Sequence, residues 1–385
     1  MKDPRLQAPI VIKNIEAFVL RAPIANPVKT SFGIMKNRPA IFVRLEDGDG
    51  LVGWGEIWCN FPSCGAEHRA MLLHETFKPL LIKQSFHHPS QIYKQITEQT
   101  AVLAIQSGEF GPIAQVIAGI DLAVWDLFAK KSKLPLWRCL GGTDPLIKTY
   151  ASGINPDKPE KVIEGLLKEG FTAFKLKIGF SQKADIENLR NIRQLIPSHQ
   201  LMVDVNQAWD LSTAIKNIQS IEEFDLSWIE EPIRADNSIT HWQELSRSCT
   251  VRLAAGENMG SEHAFKEAIA SKVFDVIQPD IAKWGGISGC LPIIHSLNQH
   301  GIEYCPHYLG GGIGLMASAH LLAASSSSGK LEIDSNPNPL RSLVSTPLAN
   351  IADGSVSLSD APGIGIEPDF DVLAHFLIHW KFMIY

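Results

Sequence analysis

Residues 171–207 read FTAFKLKIGF SQKADIENLR NIRQLIPSHQ LMVDVNQ. The runs 171–178 and 201–206 are short, apolar and rich in β-formers, so they read as buried strands, and 183–195 between them reads as a helix. A strand, a helix and a second buried strand imply parallel pairing through a right-handed crossover. The same texture extends both ways along the chain. Further strands are read at 147–153, 226–231, 251–257, 274–280, 302–307 and 331–334, and helices at 159–168, 212–223, 262–271, 288–300 and 315–324. Eight such strands imply a closed (β/α)8 barrel of the TIM type, a fold of ~250 residues. The competing fold, a doubly wound open sheet, would bind nucleotides through a Gly-x-Gly-x-x-Gly turn after its first strand, and none is present there.

Residues 11–60 read instead as antiparallel strands. The runs 41–45 and 51–54 flank Glu46-Asp47-Gly48-Asp49-Gly50, a hairpin loop. Residues 65–131 read as helical, most clearly at 115–130, where Ile117, Ile120, Leu122, Val124, Leu127 and Phe128 give broad apolar coverage. The expected organisation is an α+β domain over 1–142, a barrel over 143–345, and a segment 346–385 that packs back on the first domain. The last ten residues, 376–385, are apolar and expected to pack against the body.

The chain has 385 residues, 45% hydrophobic and 20% charged, which excludes a disordered chain, a collagen-like fibre and a coiled-coil rod. Lys+Arg minus Asp+Glu is 35 − 41 = −6, so nucleic acid is not expected as a partner. Six scattered cysteines without a Cys-x-x-Cys suit a reducing compartment. Residues 1–13 lack the apolar run of a signal peptide, and no stretch is read as approaching the ~20 apolar residues of a membrane span. The expectation is a cytoplasmic homo-oligomer with no membrane partner.

Charge is concentrated at the strand ends. Lys175 and Lys177 end the second strand, Asp204 and Asn206 the third, Glu230 and Glu231 the fourth, Glu257 the fifth, Asp280 the sixth and His307 the seventh; Glu332 and Asp334 lie in the eighth. The strand ends of a barrel converge on one mouth, where active sites form. Asp204, Glu230 and Glu257 are 26 and 27 residues apart, one βα unit each. Three converging carboxylates repel unless a cation sits among them, and Mg²⁺ suits an all-oxygen set that leaves room for water or substrate. Zinc would call for His or Cys at a His-x-His, and none occurs.

Lys175 and Lys177, two residues apart on a strand, project to one side. One can neutralise a substrate carboxylate; the other, its pKa lowered by cationic neighbours, can act as a base. Asp280 and His307 fall on adjacent strand ends, where a carboxylate fixes the imidazole tautomer and raises its basicity. Asn206 is read either as orienting a ligand or as a structural hydrogen bond. Glu332, or Asp334 in its place, can meet an enolate oxygen. Substrate selection is expected from residues 25–38 and 58–64, with Lys29, Lys36 and Arg38 as candidates, and from Tyr308. The run Gly310-Gly311-Gly312 either makes room for a large substrate or forms a turn. His320 is read as structural.

Taken together, Lys175-Leu176-Lys177, Asp204-Val205-Asn206-Gln207, Trp228-Ile229-Glu230-Glu231-Pro232, Gly256-Glu257-Asn258, Gln278-Pro279-Asp280 through Gly285-Gly286, Pro306-His307 and Leu331-Glu332 resemble the enolase superfamily, mandelate racemase subgroup. Gly53-Trp54-Gly55-Glu56 and the segment 119–126 resemble its capping domain and linking helix. The resemblance implies a modified barrel under an α+β capping domain and Mg²⁺ bound by Asp204, Glu230 and Glu257. It implies Lys177 as the base on one face, Lys175 on the substrate carboxylate, His307 held by Asp280 as acid/base on the other face, and Glu332 stabilising the enolate. Muconate-lactonizing and dipeptide-epimerase relatives resemble one another in a lysine five residues before the Gly-Gly; here that position holds Asp280, and Lys283 is read as structural or as supporting a neighbouring site residue. A small carboxylate substrate is therefore expected, with acid-sugar dehydration as the leading reaction. Racemisation, epimerisation or lactone cycloisomerisation by the same residues is the alternative, and a non-catalytic barrel the third.

Overall fold

The structure is a computed structural model that describes residues 9–30 and 33–378. Four strands form the N-terminal sheet: β1 (Ile10–Thr30), β2 (Gly33–Asp47), β3 (Val52–Ile57) and β4 (Ser85–Phe86), in the order β3-β2-β1-β4. Of the expected selection segment 25–38, residues 25–30 belong to β1 and 33–38 to β2, and the register of that pair breaks between Pro23 and Val28. The tight turn after β2 is tied by Asp47, whose Oδ1 accepts the amides of Asp49 and Leu51, each at 2.9 Å.

The Phe110–Lys131 helix lies directly on β3 because glycines meet at the contact. A Cβ on Gly55 would stand 2.1 Å from the carbonyl oxygen of Gly119, and one on Gly119 would stand 2.3 Å from Ile57 Cγ1. This helix corrects one expectation. Its 22 residues are long and apolar enough to cross a bilayer, yet 89% of its most apolar window is buried inside the protein. It is apolar nearly all round because it is surrounded by protein.

The second sheet runs through β5 (Leu146–Ile154), β6 (Ala173–Lys177), β7 (Gln200–Asp204), β8 (Ile229–Glu230), β9 (Leu253–Ala255), β10 (Val276–Ile277), β11 (Glu303–Tyr304) and β12 (Lys330–Asp334). Neighbours pair in parallel, and β12 returns to pair with β5. Most paired segments are shorter than the runs read from sequence. These eight strands form the expected (β/α)8 barrel, nearly closed as a hydrogen-bonded ladder. Among the described residues β11 and β12 share no strand pairing. Side chains bridge that seam: Tyr304 N–H donates to Ser327 Oγ at 3.1 Å, and Lys330 N–H to Cys305 Sγ at 3.4 Å. Below the charged ends, Tyr150, Met202, Trp228, Val276 and Cys305 share one buried layer that floors the barrel.

β13 (Ser355–Ser357) pairs antiparallel with β5. Farther on, the Ile364 amide donates to Asp126 at 2.7 Å, and the Phe370 ring lies 4.6 Å from Phe18. This segment therefore touches both barrel and N-terminal sheet. Of the apolar tail, residues 379–385 lie outside the described residues.

Candidate active site

The parallel register sets three ionisable groups side by side. Lys177 is paired with Asp204 across β6 and β7, and Asp204 with Glu230 across β7 and β8. Lys175, two residues earlier, reaches Glu230 Oε2 at 2.6 Å and Glu332 Oε1 at 2.8 Å. Ser152 Oγ also donates to Glu332 Oε1, and the Tyr308 amide to Oε2 at 3.1 Å. Lys177 Nζ donates to Asn206 Oδ1 at 2.7 Å, and Asn206 Nδ2 to Asp204 Oδ2 at 2.9 Å. Asn206, Gln207 and Glu231 take φ of 46°, 65° and 38°, a left-handed backbone that clusters at functional sites.

Farther round the mouth, Glu257 Oε2 lies 2.9 Å from Lys283 Nζ and 3.0 Å from His307 Nε2. The other imidazole nitrogen, Nδ1, is 2.8 Å from Asp280 Oδ2. Asp280 is itself fixed by the amides of Ala282 at 2.9 Å and Lys283 at 3.1 Å. Both ring nitrogens thus face carboxylates. Burial opposes charge on His307, but Glu257, Glu332 and Asp280 outweigh it and raise the imidazole to about 9. Burial pushes Glu230 up to about 7 against the pull of Lys175. Burial also raises Asp204, and Glu257 adds to the rise. Burial would raise Glu257 too, but His307 and Lys283 hold it well below the usual carboxylate range.

A cavity of about 290 Å³ opens above these groups. Val28, Met35, Arg38, Trp58, Asn60 and Phe61 of the N-terminal domain wall it on one side; Lys177, Asn206, Glu257, Lys283 and His307 face it from the barrel. Lys177 and His307 enter from β6 and from just beyond β11, with four strands between them in the sheet order.

Several site expectations change. Tyr308 does not line the cavity: its side chain is 2% exposed and packs against Gly310 and Gly314. Arg38 lines it but is already spent, because Nη2 is 2.6 Å from Asp334 Oδ2 and both side chains are buried. The Lys29 side chain lies outside the described residues. Lys175 and Glu332 sit below the cavity, locked to each other; burial lowers Lys175, but Glu230 and Glu332 hold it well above its ordinary value, as a cation. Lys283, read as structural or as supporting a neighbouring site residue, itself faces the cavity, with Nζ 4.9 Å from the Trp58 ring centre. Its place three residues past Asp280, off the strand, hid it. Asn60, within the expected segment 58–64, lines the cavity, and Asn336 lines it unforeseen.

The carboxylates suit a hard dication in chemistry. Asp204, Glu230 and Glu257 offer only oxygen, Asp204 and Glu230 are buried while Glu257 is half-buried at the cavity, and Asp204 and Glu257 raise the Glu230 carboxyl. Among the described residues, no three acidic, histidine or cysteine side chains stand ready as a metal-binding group. The reason is local: Lys175 is bound to Glu230, and Lys283 and His307 to Glu257. Holding an ion requires those contacts to yield.

Residues 14–141 match the family described as mandelate racemase / muconate lactonizing enzyme, N-terminal domain, and residues 160–372 match enolase C-terminal domain-like. A solved mandelate racemase/muconate lactonizing enzyme from Bordetella bronchiseptica RB50 is 47% identical, with a TM-score of 0.91 covering 96% of this chain and 99% of that one. The D-galactarolactone cycloisomerase of Agrobacterium fabrum is 26% identical over 382 residues, 95% of this chain and 98% of its own length. The L-talarate/galactarate dehydratase of Salmonella typhimurium LT2, solved with Mg and L-lyxarohydroxamate, is 26% identical, with a TM-score of 0.86 over 98% of this chain and 95% of that one. On these matches and this fold, the chain belongs to the mandelate racemase / muconate lactonizing enzymes of the enolase superfamily.

Proposed function

We propose that this enzyme removes the proton α to the carboxylate of an acid sugar and then expels the β-hydroxyl as water. The observation that carries the reading is that Lys177 and His307 face one cavity from strand ends separated by four strands. Lys177 Nζ takes the α-proton, and the electron pair left on carbon is drawn toward the carboxylate. The β-hydroxyl leaves as water with a proton from His307 Nε2, and the resulting enol tautomerises to a 2-keto-3-deoxy acid. Asp280 holds the imidazole in place, and Asn206 Oδ1 orients Lys177 Nζ by accepting one of its hydrogens. Mg²⁺ held by Asp204, Glu230 and Glu257 would supply the positive charge that makes an α-proton of a carboxylate removable. The apolar wall of Val28, Met35 and Phe61 excludes water from the reacting carbons.

The match to a cycloisomerase along nearly the whole chain favours, as a second reading, an internal leaving group or reprotonation in place of water loss. A panel of acid sugars and their lactones, incubated with Mg²⁺ in D₂O and followed by proton NMR, separates the two. Formation of 2-keto-3-deoxy acids supports dehydration. Isomerised or deuterium-exchanged product without any 2-keto-3-deoxy acid across the panel overturns it in favour of the second reading. The thiols of Cys59, Cys64, Cys249, Cys290 and Cys305 support a reducing, cytoplasmic setting within the same proposal, and the homo-oligomer is to be read by light scattering.

A further inference from the structure

Glu56 belongs to β3 of the N-terminal sheet, yet its carboxylate is spent on the barrel. Oε2 accepts the Gly314 amide at 2.9 Å, and Oε1 accepts the Gly311 amide. Four residues on, Asn60 Nδ2 donates to the Leu309 carbonyl at 2.7 Å. One strand and its continuation therefore grip the turn 309–314 at three points. That turn follows His307 directly and opens the Gly312–Ala324 helix, whose first amides need acceptors. From below, Glu332 holds the Tyr308 amide at 3.1 Å.

The glycines make this grip possible. A Cβ on Gly311 would stand 2.7 Å from Glu56 Oε1, and one on Gly314 would stand 2.1 Å from the Tyr308 hydroxyl. The run therefore serves a packed turn and not a roomy pocket. The same continuation of β3 carries Trp58 and Asn60 into the cavity wall.

We propose that Glu56 is a positioning residue that couples the seating of the N-terminal domain to the placement of His307. The inference rests on His307 acting as proposed above. Its chemistry is simple: a buried carboxylate from one domain satisfies two amides of the other, a neutral group leaves the turn free to shift, and a shorter carboxylate holds it only in part. Displacement of an acid/base group by a fraction of an ångström is enough to slow its step.

The test uses the full-length Mg²⁺-loaded enzyme with Glu56→Gln and Glu56→Asp. Asp126→Asn is the comparison, since Asp126 joins Trp54 and Ile364 away from the cavity. Glu56→Gln is expected to lower kcat about tenfold or more with KM little changed, while exchange of the substrate α-proton with D₂O, the Lys177 half, persists. Glu56→Asp recovers part of the loss, and Asp126→Asn leaves the ratio of exchange to turnover as in the parent. Equal loss of exchange and turnover in Glu56→Gln, or loss of neither, overturns the proposal. A second arm needs no substrate. Amide hydrogen exchange across 308–314 is expected to rise about tenfold in Glu56→Gln and not in Asp126→Asn; unchanged protection there also overturns it. If no acid on the panel exchanges its α-proton even with the parent enzyme, the reaction proposed above has failed, and this second arm decides the clamp alone.

Discussion

Lys175 and Glu230 meet at 2.6 Å inside the barrel, each only 1% exposed. Glu332 shares the same ammonium at 2.8 Å. Removing one partner of a buried ion pair strands the other charge. Lys175→Met is therefore expected to destabilise the protein by about 3–5 kcal/mol in urea denaturation. Wild-type stability in this variant would show that the two carboxylates do not depend on Lys175.

Binding of Mg²⁺ to the folded state alone raises stability by mass action. At a hundredfold excess over its dissociation constant the gain is about 2.7 kcal/mol, read as a higher Tm by calorimetry. Asp204→Asn is expected to abolish that rise, and chelation of the ion to reverse it in the parent. A rise that survives in Asp204→Asn would place the ion elsewhere.

The two proton carriers separate kinetically. Lys177→Ala is expected to abolish exchange of the substrate α-proton, whereas His307→Ala retains exchange but loses net turnover by roughly 10²–10⁴-fold. Isotope incorporation by NMR distinguishes them. Identical effects in both measurements would mean that the residues do not serve separate steps.

His320 gives the acid side of the stability curve. Its Nδ1 accepts the Trp137 amide at 3.1 Å, so Nε2 carries the hydrogen that Ile364 O accepts at 3.1 Å. Burial lowers the imidazole from 6.5 to about 4. The unfolded chain therefore binds the proton first as pH falls. The stability this site contributes is complete above about 6.5 and declines toward pH 4, by about 3 kcal/mol over the window. His320→Gln is expected to remove that portion of the slope between those pH values, measured by urea titration at each pH.

Gly55 tests the contact between sheet and helix. A methyl at Gly55 would overlap the Gly119 carbonyl and Ala123 N at 2.1 and 2.7 Å. Both are backbone atoms that cannot rotate away. Gly55→Ala is expected to cost about 3 kcal/mol or more in chemical denaturation, at the upper end of overpacking losses. A change below about 1 kcal/mol would show that the helix shifts freely.

The amino-acid sequence alone determined the alternation of strand and helix and the charged residues at strand ends, because both are local patterns repeated once per βα unit. Asp204, Glu230, Glu257, Asp280 and His307 recur 23 to 27 residues apart and were legible for that reason. Tertiary structure decided what each charge faces. Arg38 is consumed by Asp334 across 296 residues, Glu56 is committed to an amide 258 residues away, and Lys283 reaches the cavity from a loop. The open β11–β12 seam and the buried Tyr308 are of the same kind. Periodicity follows from backbone geometry within one segment, whereas ion pairing and burial depend on distances through space that chain order does not encode.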